Sequence, residues 1–229
     1  MPFGLIIVLL ILVIGSVFSV KTEKLTPAAA ATGSIIALLI FSVTGYTGLA
    51  LMVLFFFCAT IAGIIAKSRN PAYKVEKRDA KQVMANAGIA GLCGLGGIID
   101  PVFSEQYLMM LSACFAAANS DTLSSELGMV YGSAYFDFRT GRKGVKGENG
   151  VVSLEGTIAG IFGAMIIAYS YCSLINNFNC FLFITVAGLT GNFSDTILGA
   201  FPERNHAISN NMVNAFCTFM AVLFVVLFG

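Results

Sequence analysis

The chain has 229 residues, of which 57% are apolar and only 11% charged, where soluble domains carry about 25% charged residues. Its mean hydropathy is +0.86, its formal net charge is +1, and apolar stretches recur from end to end. These values exclude an ordinary soluble enzyme, a disordered chain, a protein held to a bilayer by one anchor, and any general affinity for nucleic acid.

At about 20 residues per crossing, the length accommodates about eight membrane spans. The first apolar run, Pro2 to Val20, has neither the positive start nor the A-x-A-like end of a secretory signal, so a retained helix is expected over 1–20. Further spans are expected at Ala28–Val43, Tyr46–Ala66, Val83–Ile99, Gln106–Ser120, Val152–Cys172, Cys180–Gly199 and Ile208–Phe228. The expected fold class is all-α: one integral membrane domain over 1–229, a polytopic helical bundle, with a cytoplasmic loop over 121–151.

Charge placement agrees with that count. With alternating spans, Lys21, Lys24, Lys67, Arg69, Lys74, Lys77, Arg78, Lys81, Arg139, Arg142, Lys143, Lys146 and Arg204 all fall on one face. They are every Lys and Arg in the chain. The positive-inside rule makes that face cytoplasmic and puts both termini on the non-cytoplasmic side, in the cell membrane. The basic stretch Lys67–Lys81 reads as a juxtamembrane contact with anionic lipid, with Arg78 and Lys81 leading directly to Asn86. The six cysteines lie in or beside apolar runs without a C-x-x-C pair, and are expected to be small packed residues. Gly156, Gly160 and Ala164 form a small-xxx-small stripe for close helix packing.

The polar residues within the spans gather at the cation-bearing face. Asp121 is expected to end the fifth span and Glu155 to begin the sixth. Asn192 and Asp195 lie near the end of the seventh, Asn210, Asn211 and Asn214 begin the eighth, and Asn86 is one turn into the fourth. Ionisable groups at membrane depth are costly and mark function. Convergence at one level suits a polar substrate arriving from the cytosol, whereas a transport path needs polar groups through the whole bilayer. Ser120-Asp121-Thr122 and Ser194-Asp195-Thr196 repeat at matching depth. Carboxylates among hydroxyls and amides suit Mg²⁺, which shares oxygen ligands with phosphates, although either motif alone could be a helix cap. The segment Arg139–Gly150 is rich in cations and glycines just before a helix start, a composition suited to anions. It equally fits a solvated positive-inside loop. Neither a Walker A loop nor the protein-kinase motifs are present. His206, the sole histidine, is expected in a cytoplasmic turn.

Three of these segments together resemble the phytyl-phosphate kinase family. They are Asn119-Ser120-Asp121-Thr122-x-x-x-Glu126, Gly147-Glu148-Asn149-Gly150-x-x-Ser153-x-Glu155-Gly156-Thr157, and Gly191-Asn192-x-Ser194-Asp195-Thr196-x-Leu198-Gly199, with Arg78…Gln82-Val83-x-Ala85-Asn86-Ala87-Gly88 also fitting. The resemblance covers nearly all of the chain after Lys24. It implies a membrane-embedded kinase moving the γ-phosphate of a nucleoside triphosphate, CTP first among them, to an isoprenyl monophosphate such as the phytyl or geranylgeranyl ester. Under it, Asp121, Asp195 and Glu155 are the expected catalytic carboxylates. Asp121, Asp195 and Glu126 would hold Mg²⁺. Arg142, Lys143 and Lys146, with Gly147, Asn149, Gly150 and Ser153, would hold the triphosphate. Asn86, Asn119, Ser120, Asn192, Ser194, Asn211 and Asn214 would orient phosphates or base. A lipid-phosphate nucleotidyltransferase releasing pyrophosphate, or a non-enzymatic transporter, remain the alternatives.

Overall fold

Side-chain acceptors mark several helix starts. Thr26 accepts from the Ala29 N–H with Pro27 beside it, Asp79 and Gln82 form a reciprocal capping box, and Ser153 and Ser209 cap the helices that follow them. In the computed structural model, which describes residues 2–70 and 77–229, the helices are α1 (Pro2–Lys21), α2 (Pro27–Arg69), α3 (Ala80–Ile99), α4 (Ser104–Tyr131), α5 (Leu154–Ile175), α6 (Phe181–Leu198) and α7 (Asn210–Phe228). Lys74 lies outside the described residues. Six of the helices are long and apolar enough to cross a membrane, and the all-α membrane bundle is the observed fold class.

The expected second and third spans are the two arms of α2, joined without a loop at a kink. As a straight rod its 43 residues would reach about 65 Å, against about 40–45 Å for a bilayer with its headgroups. The chain instead doubles back at Gly45, whose φ of 60° and ψ of −142° are non-helical and open only to glycine. A Cβ at Gly33 would stand 4.0 Å from Met52 Cε, and Ala37 and Leu49 share one apolar cluster with Val8 of α1. A straight helix would hold Gly33 and Met52 about 28 Å apart.

The expected fifth span ends too early. Helix α4 continues to Tyr131, so the loop expected over 121–151 is shorter and Asp121 lies inside a helix. The cause is position. α4 packs against α2, α3, α5, α6 and α7, and every residue from Leu111 to Ser120 is buried. A helix enclosed by protein does not need lipid-compatible side chains, so polarity did not mark its end. The small stripe on α5 meets it closely: a Cβ at Gly156 would stand 2.7 Å from Ser124 O, and one at Gly160 would stand 3.1 Å from Ser120 O. α1 packs on α2 and turns Phe3 and Phe18 outward.

After α4 the chain forms a small antiparallel sheet in the order β2-β1-β3, from β1 (Tyr135–Asp137), β2 (Arg142–Lys143) and β3 (Val151–Ser153). Asp137 pairs with Arg142 on one side and Val151 on the other. Contacts join the cation-bearing segments at one end of the bundle. Leu25 bridges Arg78, Lys77 reaches Glu23 at 3.4 Å, and Arg69 lies 5.9 Å over the Tyr131 ring.

Arg204, just past α6, clamps the sheet. Its Nη1 donates to Asp137 Oδ2 at 2.9 Å and its Nη2 donates to Glu148. The hydrogen bond from Arg204 holds the Asp137 carboxyl below the usual carboxylate range. A depressed carboxylate stabilises the fold above its ordinary value, about 3.9, and that contribution fades as pH falls through the depressed value. The thermal midpoint should therefore drop as pH is lowered below about 4, and Arg204→Gln should flatten that limb. Identical acid limbs in the two proteins would show that the clamp carries no stability.

Candidate functional site

The cation-bearing end holds a cavity of about 910 Å³. Helical spacing explains which side chains reach it. From α4 come Asp121, Ser125 and Gly128 in one row and Thr122, Glu126 and Met129 in the next. From α6 come Asn192, Asp195, Thr196 and Gly199. Gln82 and Asn86 are one turn apart at the head of α3, as Asn210 and Asn214 are on α7. Arg78 enters just before the Asp79 cap, and the segment Gly147–Ser153 forms the roof.

Asp121 and Asp195 stand side by side, their carboxyl groups within hydrogen-bonding reach. Asp195 Oδ2 is buried and has no hydrogen-bond partner among the described residues. The two helices are tied at this level: Asn192 Nδ2 donates to Ser120 Oγ at 2.9 Å and Ser124 Oγ lies 3.4 Å from Asn192 Oδ1. A third carboxylate, Glu203, faces both aspartates. It is carried there by a widened turn over Gly199–Glu203 that contains Pro202. Such π-type bulges recur at functional sites. Glu126 faces Arg78. Burial pulls the Arg78 guanidinium below its ordinary value and Glu126 pushes back, but arginine keeps its charge.

Cavity-lining carboxylates therefore outnumber cations. Asp121, Glu126, Glu148, Asp195 and Glu203 line it against Arg78, the one Lys or Arg of the lining among the described residues. Glu148 is held by Arg204 and Glu126 faces Arg78, which leaves Asp121, Asp195 and Glu203 without a facing cation among the described residues. Adjacent carboxylates in a poorly solvated site favour a bound cation or a shared proton. Among the described residues no three His, Cys, Asp or Glu side chains form a metal cage. A cation here would complete its shell from Asn, Ser and Thr oxygens, water and phosphate, as Mg²⁺ commonly does.

The expected site is assembled in part. Asp121, Asp195, Glu126, Asn86, Asn192, Asn214, Gly147, Asn149, Gly150 and Ser153 line the cavity. Arg142, Lys143 and Lys146 do not; they are exposed on β2 and the turn after it, where long cationic side chains stay hydrated. Glu155 turns away, its Oε1 accepting from the Ser133 N–H at 3.1 Å and from Ser133 Oγ at 2.5 Å, so it braces the start of the sheet. Asn119 is a packing link, its Nδ2 donating to Gly163 O at 2.9 Å, and Ser120 serves Asn192. Ser194 donates to Thr190 O in its own helix, and Asn211 points outside the Asn210–Asn214 row. Glu203 joins the lining unexpectedly, while Gln82 and Thr157 stood only within the quoted motifs and Asn210 only among the polar residues of that face. Asn210 and Gln82 follow from i, i+4 spacing, but Glu203 depends on a bulge that spacing does not reveal.

One wall is apolar. Ile161 of α5 and Phe193 of α6 line the cavity and are also 37% and 54% exposed. The wall thus continues onto the outer, lipid-facing surface. Phe138 of the roof meets Phe193 edge-on at 5.6 Å between ring centres.

Residues 9–222 match the family described as "Integral membrane protein DUF92", a range that includes every residue lining the cavity. "Uncharacterized membrane protein MJ0933" of Methanocaldococcus jannaschii is 28% identical over 93% of this chain and 90% of its own length. "Uncharacterized membrane protein sll0875" of Synechocystis is 27% identical over 86% of this chain and 80% of its own length. "Protein VTE6, chloroplastic" of Arabidopsis thaliana is 28% identical over 72% of this chain and 52% of its own length. No solved structure matches the chain.

Proposed function

The chain belongs to the DUF92 family of integral membrane proteins, and we propose that it is a membrane-embedded kinase. It transfers the γ-phosphate of a nucleoside triphosphate, CTP first among them, to an isoprenyl monophosphate, giving the diphosphate. The observation that carries this reading is the pairing of Asp121 with Asp195 from two helices, one oxygen buried without a partner among the described residues, in a cavity with both an amide-rich and an apolar wall. The motif resemblance to the phytyl-phosphate kinases supplies the substrate class. In this reading the chain makes eight crossings, since α2 doubles back, with the cavity open to the cytosol and both termini opposite.

An acceptor phosphate is already anionic, so the reaction needs positioning and charge neutralisation more than a general base. The absence of histidine from the lining is consistent with that. Asp121 and Asp195 would hold Mg²⁺, with Glu203 adding negative potential. Bound Mg²⁺ would neutralise charge on the transferring phosphoryl group. Arg78 is the cation that meets phosphate inside the cavity, while Asn86, Asn192 and Asn214 donate amide N–H groups and the backbone of Gly147–Gly150 closes the roof. The prenyl chain leaves along Ile161 and Phe193 into lipid.

The test is turnover in nanodiscs with a panel of prenyl monophosphates against CTP, ATP, GTP and UTP. The expected products are a nucleoside diphosphate and a prenyl diphosphate. Pyrophosphate release would replace this reading with nucleotidyl transfer, and no turnover with any pair would remove it. The cations are separable in the same assay. Arg78→Ala should cut turnover by about a hundredfold, the order expected for losing a charge-assisted phosphate contact. The double variant Arg142→Ala/Lys143→Ala should stay within about threefold, because screened surface charges act weakly. The reverse ranking would place the phosphates on β2 instead of in the cavity.

A further inference from the structure

The turn from α5 to α6 lies at the other end of the bundle from the cavity. Cys172 stands roughly 24 Å of helix beyond Gly156. The turn is closely built. Asn176 ends α5 in the left-handed conformation (φ 54°), and its N–H reaches Cys172 O and Ser173 O. The Asn177 N–H donates to Cys172 O at 3.0 Å, and its side-chain oxygen accepts from the Asn179 N–H at 3.1 Å. The Tyr169 and Phe178 rings pack across it at 5.5 Å. This frame brings Cys172 Sγ to 3.4 Å from Cys180 Sγ, while the Cys180 thiol also reaches Asn177 O at 3.2 Å. Cys172 is buried and Cys180 half-buried. The cysteines expected to be mere packing residues thus include a facing pair.

We infer that Cys172 and Cys180 are a covalent modification site, a dithiol that closes into a disulfide pinning the far ends of α5 and α6. The inference stands independently of the phosphoryl-transfer reading. Closing the bond requires about 1.4 Å of approach to reach the S–S length, within the reach of a side-chain rotation at the less buried Cys180. The oxidant is a small-molecule disulfide. The Cys180 thiolate attacks one of its sulfurs, forming a mixed disulfide and expelling one thiolate. The Cys172 thiolate then attacks the Cys180 sulfur and expels the second. The two protons given up by the cysteines end on the two released thiols. The protein is oxidised by two electrons and the reagent is reduced by two.

The test uses the full chain in detergent, exposed to oxidised glutathione, then denatured, blocked with a maleimide and digested without reductant for mass spectrometry. Two of the six cysteines should escape the maleimide, and the fragment or linked pair carrying Cys172 and Cys180 should be two hydrogens lighter, reversibly with dithiothreitol. The oxidised protein should unfold a few degrees higher, since even a short closed loop removes entropy from the unfolded chain. Cys172→Ser should retain glutathione on Cys180 as a mixed disulfide, and Cys180→Ser should leave Cys172 free. Six alkylated cysteines after oxidation, glutathione persisting on Cys180 in the wild type, or a bond to another cysteine would overturn the inference. These readouts on the unaltered chain do not depend on either variant folding.

Discussion

Asp195→Asn lowers turnover by about a hundredfold to a thousandfold, the range seen when one preorganised electrostatic group at a reacting phosphoryl or acyl centre is removed, and it raises the unfolding temperature. Asp121→Asn does the same. Both effects have one origin. Two carboxylates meet across α4 and α6, and Glu203 adds to the same negative potential. Without a cation, that repulsion opposes folding; an amide of the same shape removes one charge and keeps the packing. A residue kept only to stabilise the bundle would show the opposite sign, with stability and activity falling together. Mg²⁺ titrations separate the cases further. A cation bound by the native pair stabilises the wild type in proportion to the logarithm of its concentration above Kd, and either substitution should abolish most of that shift. An Asn variant with wild-type turnover and an intact Mg²⁺ shift would remove the two-carboxylate site.

What the sequence disclosed follows from which forces are local. Apolar runs report contact with lipid, so the outer helices were legible nearly to the residue: Val83–Ile99 is found as Ala80–Ile99 and Cys180–Gly199 as Phe181–Leu198. α4 was legible only as far as Ser120, because burial within protein removes the lipid constraint and its polar second half, with Asp121 and Glu126, resembled a loop. The aspartates were legible because an ionised group at membrane depth needs a reason. The misplacement of Arg142 and Lys143 has the complementary cause. Composition reports that a segment is cationic, but strand pairing decides which side of the roof the cations occupy, and here β2 pairs at the outer edge of the sheet. Arg78 was visible through its nearness in sequence to Asn86 and through the Arg78…Gly88 stretch of the resemblance, and Glu203 depends on the bulge at Pro202. The Cys172–Cys180 approach depends on a left-handed Asn176 at the end of α5 that no cysteine spacing discloses.

Gly150→Ala should cost at least as much activity as the aspartate variants, by a different route. Gly150 has a φ of 75°, which disfavours any residue with a Cβ. A Cβ added there would also lie 2.3 Å from Ala200 Cα and 2.5 Å from its N. Backbone atoms in a widened helical turn cannot rotate away, so the roof must lift from the end of α6. Three links would loosen together: the Phe138 N–H to Gly150 O bond of 3.0 Å, the Val151 N–H to Glu148 O bond of 3.1 Å, and the Arg204 contact to Glu148. Gly147 and Asn149 would leave the cavity. The expected result is a loss of activity of about a hundredfold or more with a clear drop in thermal midpoint. Gly141→Ala supplies the control, since Gly141 has a φ of 66° but nothing within 4 Å of its Cβ position. It carries the strain of roughly 1 kcal/mol without the collision, and turnover should stay within about twofold. If both alanine variants lose activity alike, conformational strain alone disables the roof. If both remain active, the segment Gly147–Gly150 does not close on the substrate, and the phosphates must be held by the side chains of α3, α4 and α6.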